Sequence, residues 1–346
     1  MKIALIAPNT TGGVATVFHM LYKGLVSEGI YVDVIRLSRG RFPLLSAIHN
    51  DILKARLLKD YDLALYMGNI PWPSHILAKL SGIPVALFLH GYIYHELSHE
   101  ILHGTRLRNR IGAVIDTTMF QTAALLHTID LYICHSLATC EANKISKRFV
   151  LLPQWLFPEE LEVVKTKYFK NNEIRIVIYT SYGNSPRLLS VNHLIVLEKF
   201  LEDKVQRKFK LIIVNPRVNN SFSGPVRIVK PMPRKEFLSF LASADLYIEP
   251  CIDEELRLTT LEAMAMGVPV AKLTHPRYWN RQDYGEGDLI LGRSFGELAE
   301  KIAEYINHAE HYFNYYSKRG REFVLTKRTW DAVKRPFLMA LKRISR

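Results

Sequence analysis

Cysteine is scarce in this chain of 346 residues: Cys134, Cys140 and Cys251 are all it has. Three cysteines support no disulfide framework, and none of their spacings fits a paired-cysteine metal site. The chain therefore reads as one from a reducing compartment, with no disulfide framework and a cytoplasmic location. Long apolar runs are missing too. No window reaches the roughly 20 residues that cross a bilayer, and the opening MKIALIAP has one basic residue and too short an apolar run for a secretory signal. There is no internal repeat and no low-complexity tract, so repeat arrays and biased linkers are set aside. Acid is also in short supply. Asp and Glu number 33 against 46 Lys and Arg, a formal net charge of +13. A basic balance attracts nucleic acid, anionic lipid head groups or the phosphates of a nucleotide sugar, and does not by itself choose among them.

What remains is a globular composition, 48% hydrophobic and 23% charged, with a length suited to two domains. Short apolar runs alternate with helical patterns. In the first half, 2–7, 31–37, 63–67, 84–89, 131–135 and 149–152 read as buried strands, and 101–127 as largely helical. In the second half, 174–180, 210–214, 226–229, 246–248, 268–273 and 289–291 read as strands, with helices over 191–200, 234–242 and 295–308. Such alternation predicts an α/β chain with two Rossmann-like, doubly wound domains facing a cleft. The expected boundaries are 1–158 for the first domain, 159–172 for a linker, 173–325 for the second domain, and 326–346 for a basic C-terminal helix returning toward the first.

The most informative stretch is Glu254 to Val270, EELRLTTLEAMAMGVPV. Glu254 and Glu262 have seven residues between them. Thr259 or Thr260 can cap a helix start, and Glu262 then falls in or near the first turn, where the helix dipole favours a carboxylate. Gly267 suits the residue just past the helix end, and Pro269 prevents continuation. The unpaired amides of a helix start form an anion site. One loop-helix unit thus offers a phosphate seat and two carboxylates for sugar hydroxyls. Near the N-terminus, Gly12-Gly13 follows the first strand and opens a helix, a place where backbone can approach a ligand closely. His90-Gly91 ends another strand. His95, His99 and His103 have helical spacing, but no paired cysteine or carboxylate set supports a metal there. Residues 36–59 carry Arg36, Arg39, Arg41, Lys54, Arg56 and Lys59 against Asp51, among apolar residues. This fits an ordinary surface helix, with interfacial membrane docking as the second reading.

With Ala244 to Pro250 (AD-x-Y-I-x-P) before it, the Glu254–Val270 stretch resembles the signature of retaining glycosyltransferases of the GT-B type, group 1. The resemblance implies a fold of two Rossmann-like domains and transfer of a sugar from a nucleotide-diphosphate sugar, of UDP or GDP type, to an acceptor hydroxyl. It implies no cofactor and no bound metal. Glu262 would hold the donor ribose, and Glu254 the hydroxyls of the donor sugar. Backbone amides around Leu258, Thr259 and Thr260 would hold the diphosphate. Gly12 and Gly13 would close over donor phosphates and acceptor, and His90 would hydrogen-bond the reacting sugar. His90 and Glu254 are thus the catalytic candidates. The acceptor is unassigned; nucleic acid is set aside, and peripheral contact with an anionic membrane, at the cytoplasmic inner face, stays open.

The chain departs from the family pattern in one place that matters. Members commonly carry an Arg and a Lys six apart after the first strand of the second domain. Here that stretch is TSYGNSPRLLS, with Arg187 at the lysine position and Ser181 where the arginine would be. Arg257, just before the phosphate loop, is the candidate replacement cation. Two alternatives stand beside the transferase: a nucleotide-sugar epimerase of the same two-domain shape, and a non-catalytic nucleotide-sugar-binding homologue.

Overall fold

The computed structural model describes residues 1–8, 13–37, 58–68, 74–90, 101–102, 107–161, 173–179, 189, 191–214, 227–230 and 232–345. Contacts gather the chain into two units: unit 1 is Met1–Pro153 with Val333–Arg346, and unit 2 is Gln154–Ala332. The expected linker at 159–172 lies outside the described residues from 162 onward.

Unit 1 runs β1 (Lys2–Pro8), α1 (Gly13–Ser27), β2 (Tyr31–Leu37), β3 (Leu63–Met67), α2 (Ser74–Leu80), β4 (Val85–Leu89), α3 (Leu107–Leu125), β5 (Leu131–Cys134), α4 (Leu137–Ala142) and β6 (Phe149–Leu151). The strands form one sheet in the order β2-β1-β3-β4-β5-β6, and every pairing is parallel. Each residue of β3, β4 and β5 is buried. A parallel sheet covered on both faces demands that continuity, which is why these strands appear in the sequence as unbroken apolar runs. One core packs Ile6, Tyr66, Leu87 and Leu89 against Phe120 and Ala123 of α3. Fully burying an aliphatic side chain of this kind contributes roughly 1.5–3 kcal/mol.

Two cysteines depart from expectation. Cys134, at the end of β5, and Cys140, in α4, are joined by a disulfide, with Cα atoms 5.7 Å apart. The chain turns from strand to helix within two residues, and that folds the six-residue separation back to bridging distance. Cys251 is buried and takes no part in the disulfide.

Unit 2 runs β7 (Glu173–Tyr179), α5 (Val191–Lys204), β8 (Lys208–Val214), β9 (Arg227–Val229), α6 (Arg234–Ala242), β10 (Leu246–Glu249), α7 (Leu258–Ala265), β11 (Val270–Leu273), β12 (Ile290–Gly292), α8 (Phe295–Asn307) and α9 (Ala309–Lys327). Its sheet is again parallel, in the order β12-β11-β10-β7-β8-β9. The chain leaves β7 in one direction for β8 and β9, then returns to the other side for β10. That makes the β7/β10 boundary the topological switch point, where open α/β sheets place ligands at their carboxyl ends. Ile174, Ile176, Ile178, Leu211, Ile213 and Ile248 meet Leu194 and Leu197 of α5 and Ile302 and Ile306 of α8. Gly320 lets α9 approach α7: a Cβ there would lie 3.6 Å from the Met264 side chain and 3.3 Å from the Asp288 carbonyl oxygen.

A last helix, α10 (Trp330–Ile344), carries Pro336 in its interior. Within unit 1 it buries Phe337 and Leu341, and Lys334 pairs with Glu28, the residue after α1, at 2.7 Å. No helix among the described residues is long and apolar enough to cross a membrane.

Candidate functional site

The carboxyl end of β10 opens onto the start of α7, and polar and charged residues are buried around that junction. Glu249, Asp253, Glu254, Thr260, Glu262 and Lys272 are all buried, Glu249 and Lys272 completely. Burying ions costs several kcal/mol each unless they are paired and hydrogen-bonded, so each partner counts. Glu249 accepts the Cys251 amide proton at 2.8 Å and the Thr260 hydroxyl proton. The Arg257 Nε lies 3.9 Å from the same carboxylate. Asp253 accepts the Glu255 amide at 3.1 Å. Lys272 sits opposite Glu249 in the strand register, and its Nζ donates to the Cys251 carbonyl at 2.7 Å. The loop after β10 is thereby fixed from both sides.

The start of α7 differs from expectation. Neither Thr259 nor Thr260 caps it. Arg257 is the N-cap, with an extended backbone (φ −72°, ψ 160°) and no side-chain capping hydrogen bond. Leu258, Thr259 and Thr260 are the first three helical residues, whose amides have no acceptor within a helix. The reason is visible at Thr260: its hydroxyl is spent on Glu249, a buried carboxylate, rather than on the helix backbone. Glu262 is the fifth residue of α7, and the first turn holds no acid. The helix end does follow expectation. Gly267 adopts φ 80°, its amide donates to Met264 at 2.9 Å, and the Val268 amide donates to Ala263 at 2.9 Å. These are the two bonds of a Schellman end, followed by Pro269.

Glu262 receives Arg234 Nη2 on Oε1 at 2.6 Å. Arg234 opens α6 and is half exposed, whereas Glu262 is almost fully enclosed. Burial raises the Glu262 pKa above the ordinary glutamate value, and the Arg234 charge and hydrogen bond counter that only in part. Burial works against the Arg257 cation, but the Cys251 thiol, Glu249, Tyr247 and Asp253 outweigh it, and its pKa rises. Burial pushes Tyr247 and Tyr284 well above the usual phenol value.

In unit 2 the structure brings together Glu254, Arg257, Leu258, Thr259, Thr260 and Glu262. In unit 1, Gly13 is the first residue of α1 after β1, and His90 follows β4. Gly12, Arg187, Ser181, His95, His99 and His103 lie outside the described residues. Among the described residues, no group of three or more His, Cys, Asp or Glu could hold a metal ion.

Residues 177–308 match the family glycosyl transferases group 1. Unit 2 carries a group 1 glycosyltransferase domain. No curated protein matches the chain. Among solved structures, sucrose-phosphate synthase from Thermosynechococcus elongatus is similar with a TM-score of 0.68 at 15% identity, covering 99% of both chains. HepE from Anabaena, in complex with UDP, gives 0.67 at 13%, covering 99% of this chain and 100% of the other. The UDP-forming α,α-trehalose-phosphate synthase from Burkholderia vietnamiensis gives 0.64 at 10%, covering 99% and 100%. At such identities the likeness is one of fold, and that fold is GT-B.

Several residues of the glycosyltransferase domain escaped the sequence reading. Arg234 gave no signal, because a lone basic residue at a helix start is common. Glu249 lay inside the quoted AD-x-Y-I-x-P run without a role. Lys272 had a usable signal, since a lysine inside an apolar strand must find a buried partner. In unit 1, His135 follows an apolar strand just as His90 does.

Proposed function

We propose that the chain is a retaining glycosyltransferase moving a sugar from a nucleotide-diphosphate sugar to an acceptor hydroxyl. One observation carries the reading: at the switch point of unit 2, an uncapped helix start lies between two buried carboxylates with seven residues between them. The amides of Leu258, Thr259 and Thr260 suit a diphosphate, because a helix start concentrates partial positive charge. Glu262 suits the ribose diol, which can donate two hydrogen bonds to one carboxylate. Glu254 suits hydroxyls of the donor sugar. Arg234 beside Glu262, and Arg257 at the N-cap, supply the positive charge that Ser181 does not. HepE, similar in fold, is described with UDP and with UDP-glucose, which supports a nucleotide sugar as the ligand here.

In the reaction the bond between the anomeric carbon and the phosphate oxygen breaks, and its electron pair leaves on the nucleoside diphosphate. The acceptor oxygen bonds the anomeric carbon on the same face, and its proton passes to the departing phosphate. Negative charge accumulates on the diphosphate in the transition state, where preorganised amides and guanidinium groups stabilise it without reorganisation. In this reading the protein supplies that stabilisation itself and needs no metal. His90 accepts a hydroxyl hydrogen of the sugar.

The test is phosphorus NMR of the chain with UDP- and GDP-hexoses, with and without a panel of acceptor alcohols. Acceptor-dependent release of one nucleoside diphosphate is expected. Conversion of the sugar nucleotide without release would favour an epimerase, and binding without any conversion a non-catalytic homologue.

A further inference from the structure

Three neighbouring strands of unit 1 end in step. Leu89 of β4 pairs with Cys134 of β5, and Cys134 pairs with Leu151 of β6. The next residues on the three strands, His90, His135 and Leu152, therefore lie side by side at the carboxyl edge of the sheet. His135 is buried, with Nδ1 3.0 Å from the Leu152 carbonyl oxygen and Nε2 3.4 Å from His90 Nδ1. Phe88 packs against both rings, at 4.6 and 4.8 Å between centroids.

The chemistry of the end group sets the proton positions along this row. A carbonyl oxygen can only accept, so His135 carries its hydrogen on Nδ1. In the neutral ring Nε2 is then a bare lone pair. That lone pair can hold His90 only by accepting, so the His90 hydrogen sits on Nδ1. His90 Nε2 is left as a bare acceptor, shielded from solvent and without a hydrogen-bond partner among the described residues. A buried acceptor of this kind costs free energy until a ligand O–H or N–H reaches it. Burial, and then the neighbouring His135, also lower the His90 pKa well below its ordinary value, in keeping with a neutral ring.

We propose that His135 is a positioning residue that fixes His90 as the Nδ1–H tautomer, so that His90 presents Nε2 to a ligand hydroxyl as a hydrogen-bond acceptor. Its functional meaning rests on the transferase reading above; the tautomer itself does not. His90 then takes a hydrogen bond from the sugar and donates no proton in the transfer.

The direct test is long-range ¹H–¹⁵N NMR of the full chain labelled at histidine, with His90 assigned by loss of its signals in His90→Gln. A protonated Nδ1 and a bare Nε2 on His90 at pH 7 are expected. A protonated Nε2, or a doubly protonated ring, overturns the proposal whatever the enzyme does. His135→Gln keeps an acceptor oxygen where Nε2 stands, and should retain the tautomer and turnover within a few-fold. His135→Phe keeps the ring shape without the acceptor. It should mix the His90 tautomers and lower kcat on the order of tenfold with donor KM little changed, the loss of about one hydrogen bond. Equal loss in Gln and Phe variants of normal circular dichroism would make the role purely structural. The expected tautomer without any sugar transfer would defeat the transferase reading and leave the positioning relation standing.

Discussion

Replacing Glu262 by glutamine should separate ligand binding from folding. Glu262 is buried, its pKa is raised by that burial, and its ion-pair partner, Arg234, is half exposed and can be resolvated. A carboxyl whose folded pKa lies above its unfolded value binds more protons in the folded state. Its favourable contribution is complete below the unfolded pKa and is lost as pH rises through the folded one. Removing the ionisable group should therefore help the ligand-free fold at neutral pH more than at acid pH. Ligand binding should respond oppositely. A ligand at 100 times Kd stabilises the native state by about 2.7 kcal/mol, or roughly 5–11 °C in Tm for a unit of this size. Hydrogen bonds to a charged group contribute about 1.5–3 kcal/mol. The amide keeps one acceptor, so the lower half of that range applies, a roughly 13–45-fold weaker Kd. The same nucleotide concentration would then stabilise Glu262→Gln by only about 0.7–1.3 kcal/mol. Thermal unfolding with UDP and GDP, read at several pH values, checks both halves. A nucleotide-induced shift equal to wild type, or a variant whose ligand-free Tm falls further behind wild type as pH rises, would refute the reasoning.

Other substitutions probe the frame that holds the site. Arg257→Leu removes the cation from among Glu249 and Asp253 and should cost about 3–5 kcal/mol in urea unfolding, the penalty for breaking a buried pair; a loss of nucleotide binding without loss of stability would assign Arg257 to the ligand alone. Thr260→Val withdraws a hydroxyl from the fully buried Glu249 carboxylate and should cost about 1–3 kcal/mol, read as a lower urea midpoint. Gly267→Ala forces a side chain into φ 80° and should cost roughly 1–2 kcal/mol, with nucleotide affinity per folded molecule unchanged.

The fold was legible because parallel strands buried on both faces must be apolar throughout, and β3, β4 and β5 appear that way in the sequence. The end of α7 was legible for an equally local reason: only glycine adopts the left-handed turn cheaply, and Pro269 blocks extension. Its start was misread. The rule that threonine caps helices holds when the hydroxyl is available, and at Thr260 a carboxylate from β10, 11 residues earlier, claims it. The same non-local cause hid Arg234 and Lys272, whose partners come from other elements. The His90–His135 row depends on strand register, which no single stretch of sequence displays. A count of cysteines does not reveal the Cys134–Cys140 pair, because it is a tight strand-to-helix turn that brings the two thiols together.

A nucleoside diphosphate held at the start of α7 would cover its first amides. Hydrogen exchange at Leu258, Thr259 and Thr260, with and without UDP or GDP, reads that contact. These amides have no helical acceptor and should exchange fast in the free protein. Selective slowing at these three positions on adding one nucleotide is the expected result. Unchanged exchange there, with protection appearing elsewhere or nowhere, would contradict the account.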